Sequence, residues 1–92
     1  MTAAGGDRYL VSGPLLFQTV AEARTLGLQL LCERERLVLD LSGVVQSDSA
    51  ALALLIEWMR EARRRGTGIH FENVPSQLRA IARASQVDQF LP

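Results

Sequence analysis

One stretch, from Leu37 to Arg65, limits the possible folds more than any other. Leu37-Val38-Leu39-Asp40-Leu41 is nearly continuous apolar sequence around a β-branched residue, the pattern of a central strand covered on both faces. A polar, Gly-bearing connection from Ser42 to Asp48 follows. The run Ala50-Ala51-Leu52-Ala53-Leu54-Leu55-Ile56 then continues unbroken to Arg65, and only a helix carries it that far. Leu52, Leu55, Ile56 and Met59 recur at the i, i+3, i+4, i+7 spacing, so this stripe is expected to face the sheet. Arg60, Arg63, Arg64 and Arg65 suit the negative end of the helix dipole, and Gly66 supplies the stop.

The flanks repeat the alternation. Tyr9-Leu10-Val11 predicts a short strand ended by Ser12-Gly13-Pro14. Thr19 and Glu22 match a capping box for a helix that begins near Thr19, with Val20, Ala23, Leu26, Leu30 and Leu31 on its apolar side and Gly27 weakening its middle. Ile69-His70-Phe71-Glu72 alternates as a strand does, Asn73-Val74-Pro75 turns the chain, and Ser76 is placed to cap a last helix carrying Leu78, Ile81 and Ala82. The order strand, helix, strand, helix, strand, helix predicts an α/β fold: one small domain over residues 1–92, with 1–7 as a flexible amino end.

Composition narrows the function. At 92 residues there is room for one core. Ten basic residues balance ten acidic ones, so no overall field draws the chain to nucleic acid or to an anionic membrane. Every basic residue is Arg, which removes Schiff-base chemistry and a P-loop lysine. A single cysteine excludes a disulfide framework and a cysteine zinc cluster, and a reducing compartment fits; no metal site is expected. Met1 to Asp7 lacks the basic-then-apolar pattern of a signal peptide, and the longest apolar run is too short to insert in a bilayer. A cytoplasmic protein is the expectation.

Few residues could carry chemistry. His70, alone in a strand, reads as structural rather than as a general base. Cys32, closing an apolar helix, reads as a small buried hydrophobe. Asp40 lies near the carboxyl end of the central strand, where ligand sites form in α/β sheets, and it could equally accept from a loop N–H. No catalytic set emerges. Ser47-Asp48-Ser49 is more informative, since it enters the long helix where unpaired N–H groups and the positive dipole end surround the Ser49 hydroxyl. Ser47 or Asp48 can cap that helix, and a phosphate on Ser49 would be favoured there. Ala51, Leu54 and Trp58 widen the apolar arc of the helix, either to pack on a neighbouring helix or to offer a protein-binding surface.

The residues Leu37-Val38-Leu39-Asp40-Leu41-Ser42-Gly43-Val44 and Asp48-Ser49-Ala50-Ala51-Leu52-Ala53-Leu54-Leu55 resemble the signature of the STAS domain family of bacterial anti-sigma-factor antagonists. Ser12-Gly13-Pro14-Leu15, Glu57-Trp58, Arg63-Arg64-Arg65-Gly66 and Phe71-Glu72-Asn73-Val74-Pro75, with Gln77 to Ala82 and Asp88 to Pro92, resemble its MlaB-like branch, the small subunits of phospholipid-transporting Mla-type ABC systems. The resemblance implies a STAS-like α/β domain, a central mixed sheet of about four strands packed with about three helices. It also implies a non-enzymatic subunit without cofactor, which binds the MlaF-like cytoplasmic ATPase and through it the membrane permease, at the inner face of the inner membrane. The implied contact centres on Ser47, Asp48, Ser49, Ala50, Ala51, Leu54 and Trp58. The alternative it implies is an anti-sigma antagonist switched by phosphorylation of Ser49. Ala51 stands where many relatives have Gly, so its methyl would narrow the approach to Ser49. The amino end is short for the family. An edge strand is then either missing or made by residues 1–7, and an open edge would allow self-association.

Overall fold

Alternate residues of the central strand are buried, and this one fact sets the layers of the molecule. The structure, a computed structural model, describes residues 1–91 and, at Phe90, the backbone alone; Pro92, the last residue of the expected domain, lies outside it. Strand β3 spans Arg36–Ser47, with Leu37, Leu39 and Leu41 buried and Val38 and Asp40 only half-buried between them. The helices therefore cover one face of the sheet, not both as the apolar run suggested. Val38 sits outside the core despite its type, and that is why the sequence read as continuous.

The sheet has the order β1-β2-β3-β4. Strand β1 (Thr2–Ala3) runs antiparallel to β2 (Arg8–Leu15), while β2 with β3 and β3 with β4 (Gly68–Glu72) are parallel, so the sheet is mixed. Part of the stretch expected to be a flexible lead-in thus supplies the edge strand. Between the strands lie α1 (Val20–Glu33), α2 (Ser49–Arg65) and α3 (Ser76–Ala84), and a 3₁₀ turn at Asp88–Phe90 follows. None of these helices is long and apolar enough to cross a membrane.

Two expected loops are strand. Ser12-Gly13-Pro14 does not end β2, because the ladder absorbs it through register shifts between Leu10 and Ser12 and between Gly13 and Pro14, with Gly13 at φ 83°. Ser42 to Gln46, read as a loop, continues β3 alongside that irregular segment. Two expected caps are also absent. Thr19 gives no hydrogen bond to the first turn of α1, since its hydroxyl turns back to accept from Leu16 N–H (2.8 Å) and donate to Pro14 C=O (2.8 Å). Ser76 is the first residue of α3 rather than its cap. Cys32 is exposed, not buried, because the inward residues of α1 are Gly27 and Leu31. The stop at Gly66 is as expected, with φ 71°.

The contact that joins the helices takes the first of the two roles expected for Trp58, packing on a neighbouring helix, and what the sequence did not indicate is the part played by Gly27. Trp58 of α2 is completely buried, and its indole lies so close over Gly27 of α1 that a Cβ there would overlap the ring. Gly27 is therefore less a weak point of α1 than the notch that admits the tryptophan. At the rim of the same contact Arg24 Nε donates to Glu57 Oε1 at 2.7 Å.

On the bare face of the sheet, Arg8 of β2 reaches across β3 to pair with both carboxylate oxygens of Glu72 on β4, the longer contact being 3.2 Å. Beside it Asp40 Oδ1 accepts from Asn73 Nδ2 and from Ser42 N–H, each at 2.9 Å. The Arg8 hydrogen bonds hold the Glu72 carboxyl below its usual range, and the Asn73 amide does the same for Asp40. Asp40 thus serves the loop, and His70 stands exposed in β4.

Two outcomes test this packing. Gly27→Ala, which forces the indole to move, is expected to lower stability by ~1–3 kcal/mol in urea unfolding. Because the folded-state values of Glu72 and Asp40 are depressed, their contribution is complete above the ordinary carboxylate range and is lost as pH falls through and below it. Unfolding midpoints measured against pH should drop on the acid side, and less steeply in Glu72→Gln.

Candidate functional site

The start of α2 is built by one side chain. Asp48 has an extended backbone (φ −129°, ψ −168°), so its carboxylate turns toward the helix it precedes. Oδ1 accepts from Ala50 N–H at 2.9 Å, the N-cap bond, while Oδ2 accepts from Phe17 N–H at 3.1 Å. Asp48 N–H donates to Leu15 C=O at 3.3 Å, and Ser47 N–H donates to Gln77 Oε1 at 3.0 Å. Two residues thereby tie the end of β2, the 16–19 turn and the start of α3 to the first turn of α2.

That frame holds apolar groups out to solvent. The turn fixed by Thr19 and Asp48 leaves Phe17 80% exposed, and Val45, near the end of β3, is 78% exposed. A shallow groove beside Phe17 is lined by Val20, Ser49, Ala50, Ala53 and Leu54, with Arg24 and Glu57 at its end. Ser49 is exposed at the positive end of the α2 dipole. An exposed aromatic next to small side chains and a free hydroxyl suits protein contact, where large apolar groups lose water against a partner. Among the described residues no group of three or more His, Cys, Asp or Glu is placed to hold a metal ion.

The residues singled out from sequence divide into two sets. Asp48, Ser49 and Ala50 reach the surface together at the start of α2. Ser47, Ala51, Leu54 and Trp58 are buried, at 3%, 0%, 3% and 0% exposure, and so lie beneath that surface rather than on it, with Leu54 bordering the groove. The wide apolar arc of α2 is used up within the chain, against α1. Ala51 points inward, so its methyl leaves the approach to Ser49 open. Ile56 and Met59, expected against the sheet, are only half-buried.

Phe17 and Val45 were missed. Their signal was an aromatic inside the turn between Pro14 and Thr19 and a valine within the polar 42–48 segment, both apolar where a loop would be polar. Removing the Asp48 carboxylate in Asp48→Ala is expected to cost ~1 kcal/mol or more in thermal or urea unfolding, since it deprives both Ala50 and Phe17 of an acceptor.

Comparison with known proteins bears on the whole chain. The model of the family described as "Mlab, STAS domain" matches residues 8–92. Among solved structures, the chain is similar to a chain of the "Acinetobacter MlaFEDB complex in ATP-bound Vtrans2 conformation", at 28% identity and a TM-score of 0.78, covering 91% of this chain and 90% of that one. No curated protein sequence gives a match. With its mixed four-stranded sheet and three helices on one face, the chain belongs to the Mlab-type STAS domain family.

Proposed function

We propose that this chain is a non-catalytic accessory subunit of an Mla-type phospholipid-transporting ABC system, binding the cytoplasmic ATPase subunit through the face around Ser49. The observation that carries the reading is the similarity, over nearly the full length of both chains, to a component of the MlaFEDB complex. The face itself supports it: Phe17, Ser49, Ala50 and Ala53 form an exposed, small-residue surface with one aromatic anchor, held rigid by Asp48. A rigid surface loses little entropy on binding. By binding one conformation of the ATPase better than another the domain shifts its population, and the shift is limited by that difference in affinity. On this reading the chain lies at the inner face of the inner membrane, with the permease reached through the ATPase, and it supports assembly and lipid asymmetry without touching lipid or nucleic acid.

A second reading, an anti-sigma antagonist switched by phosphate on Ser49, rests on the exposure of that hydroxyl at a helix N-terminus. The neighbouring Asp48 carboxylate counts against a phosphate there.

Affinity purification of the tagged chain from detergent-solubilised membranes is expected to bring down an ABC ATPase and its permease. Phe17→Ala and Ser49→Asp should each weaken ATPase binding by about tenfold while circular dichroism stays unchanged. Unaltered binding in both variants would overturn the assignment of the face. Recovery of a histidine-kinase-like factor without transporter subunits, and a phosphate on Ser49 by intact mass, would establish the switch instead.

A further inference from the structure

The other end of α2 carries a second, separate surface. Ile56, Met59, Arg60 and Arg63 lie at the i, i+3, i+4, i+7 spacing, and with Val87, just beyond α3, they line a groove of about 260 Å³. Its floor is apolar, formed by the half-buried Ile56, Met59 and Val87, and its rim carries the two exposed arginines. Arg63 lies ~20 Å along the helix axis from Ser49 at 1.5 Å per residue, so this groove is distinct from the face around Phe17.

The charge pattern of α2 says what the groove lacks. Glu57, one turn before Arg60, is turned away to Arg24 of α1 at 2.7 Å. Glu61 pairs with Arg64 and with Arg65, the latter at 2.8 Å. Both acids of the helix are thereby engaged, and no ion pair reaches Arg60 or Arg63 among the described residues. Arg83, in the last turn of α3, adds a third exposed cation near Val87, with the Asp88 carboxylate one residue farther on. Two uncompensated guanidiniums over an apolar slot complement a carboxylate placed next to an apolar side chain. The slot is smaller than the usual small-molecule site and matches one or two side chains of a helix laid along it.

We propose that the groove docks an acidic amphipathic helix of a partner protein, its apolar stripe on Ile56, Met59 and Val87 and its Glu or Asp side chains on Arg60 and Arg63. The inference is independent of the face around Ser49. It is tested with the full chain, by fluorescence polarisation of a labelled helical peptide whose Leu stripe is flanked by Glu, of the same peptide with Gln for every Glu, and by flotation with phosphatidylcholine–phosphatidylglycerol vesicles. The Glu peptide is expected to bind, to weaken with added salt, and to lose about tenfold in the R60Q/R63Q double variant while Ser49→Asp leaves it unchanged. Both arginines are exposed, so the double variant keeps the fold, which circular dichroism checks. Equal binding of the Glu and Gln peptides, no binding of either, full binding by R60Q/R63Q, or binding to anionic vesicles in place of peptide would each overturn the proposal.

Discussion

The seating of Trp58 on Gly27 is the contact on which the helical layer depends. A completely buried indole is the largest apolar group in the core, and it can approach α1 that closely only where α1 has no side chain. With α1 fixed against α2 by this notch, the turn that precedes α1 has a defined position relative to the start of α2. Asp48 can then bridge the two with one carboxylate, and Phe17 is held out beside Ser49. The exposed face is in this sense a product of the core beneath it.

Much of this was legible in the residues. The alternation of strand and helix, the run of α2 to Arg65, the stop at Gly66 and a cap at Ser47 or Asp48, which the structure assigns to Asp48, follow from apolar periodicity and from backbone chemistry that acts within a few residues. What failed did so for reasons of tertiary pairing. Gly13 and Pro14 break a strand by local rules, yet β2 passes through them because β3 offers a ladder that tolerates bulges. Val38 looks buried by type, and only the placement of all helices on one side shows that it is not. Thr19 has the right spacing for a capping box, but the turn before it competes for the same hydroxyl.

The candidate site was half visible. Asp48 and Ser49 announce themselves through the strand-to-helix transition. For Trp58, Leu54 and Ala51 periodicity alone leaves both a neighbouring helix and a surface open, and the deciding fact, a glycine thirty-one positions before Trp58, is not local. Phe17 and Val45 carried a signal, apolar residues in segments that read as loops, but their exposure follows from the 16–19 turn tied to Asp48 and from the continuation of β3 through Val45, neither of which is local to the residue. The two ends of α2 also differ in kind: one is neutral and small, the other basic with an apolar floor.

The parallel ladders have a consequence for how the chain comes into being. Arg8 pairs with Val38 and Arg36 with Gly68, so each half of the sheet closes only after about thirty intervening residues have been brought round, and neither half can form as a local hairpin. During synthesis β3 emerges long before β4 exists to cover its second edge. A nascent chain that stalls before Gly68 presents an apolar strand with one side unpaired, which is the form most prone to associate with another strand. Completion of the carboxy-terminal third thus supplies β4, the short strand that pairs this side of β3.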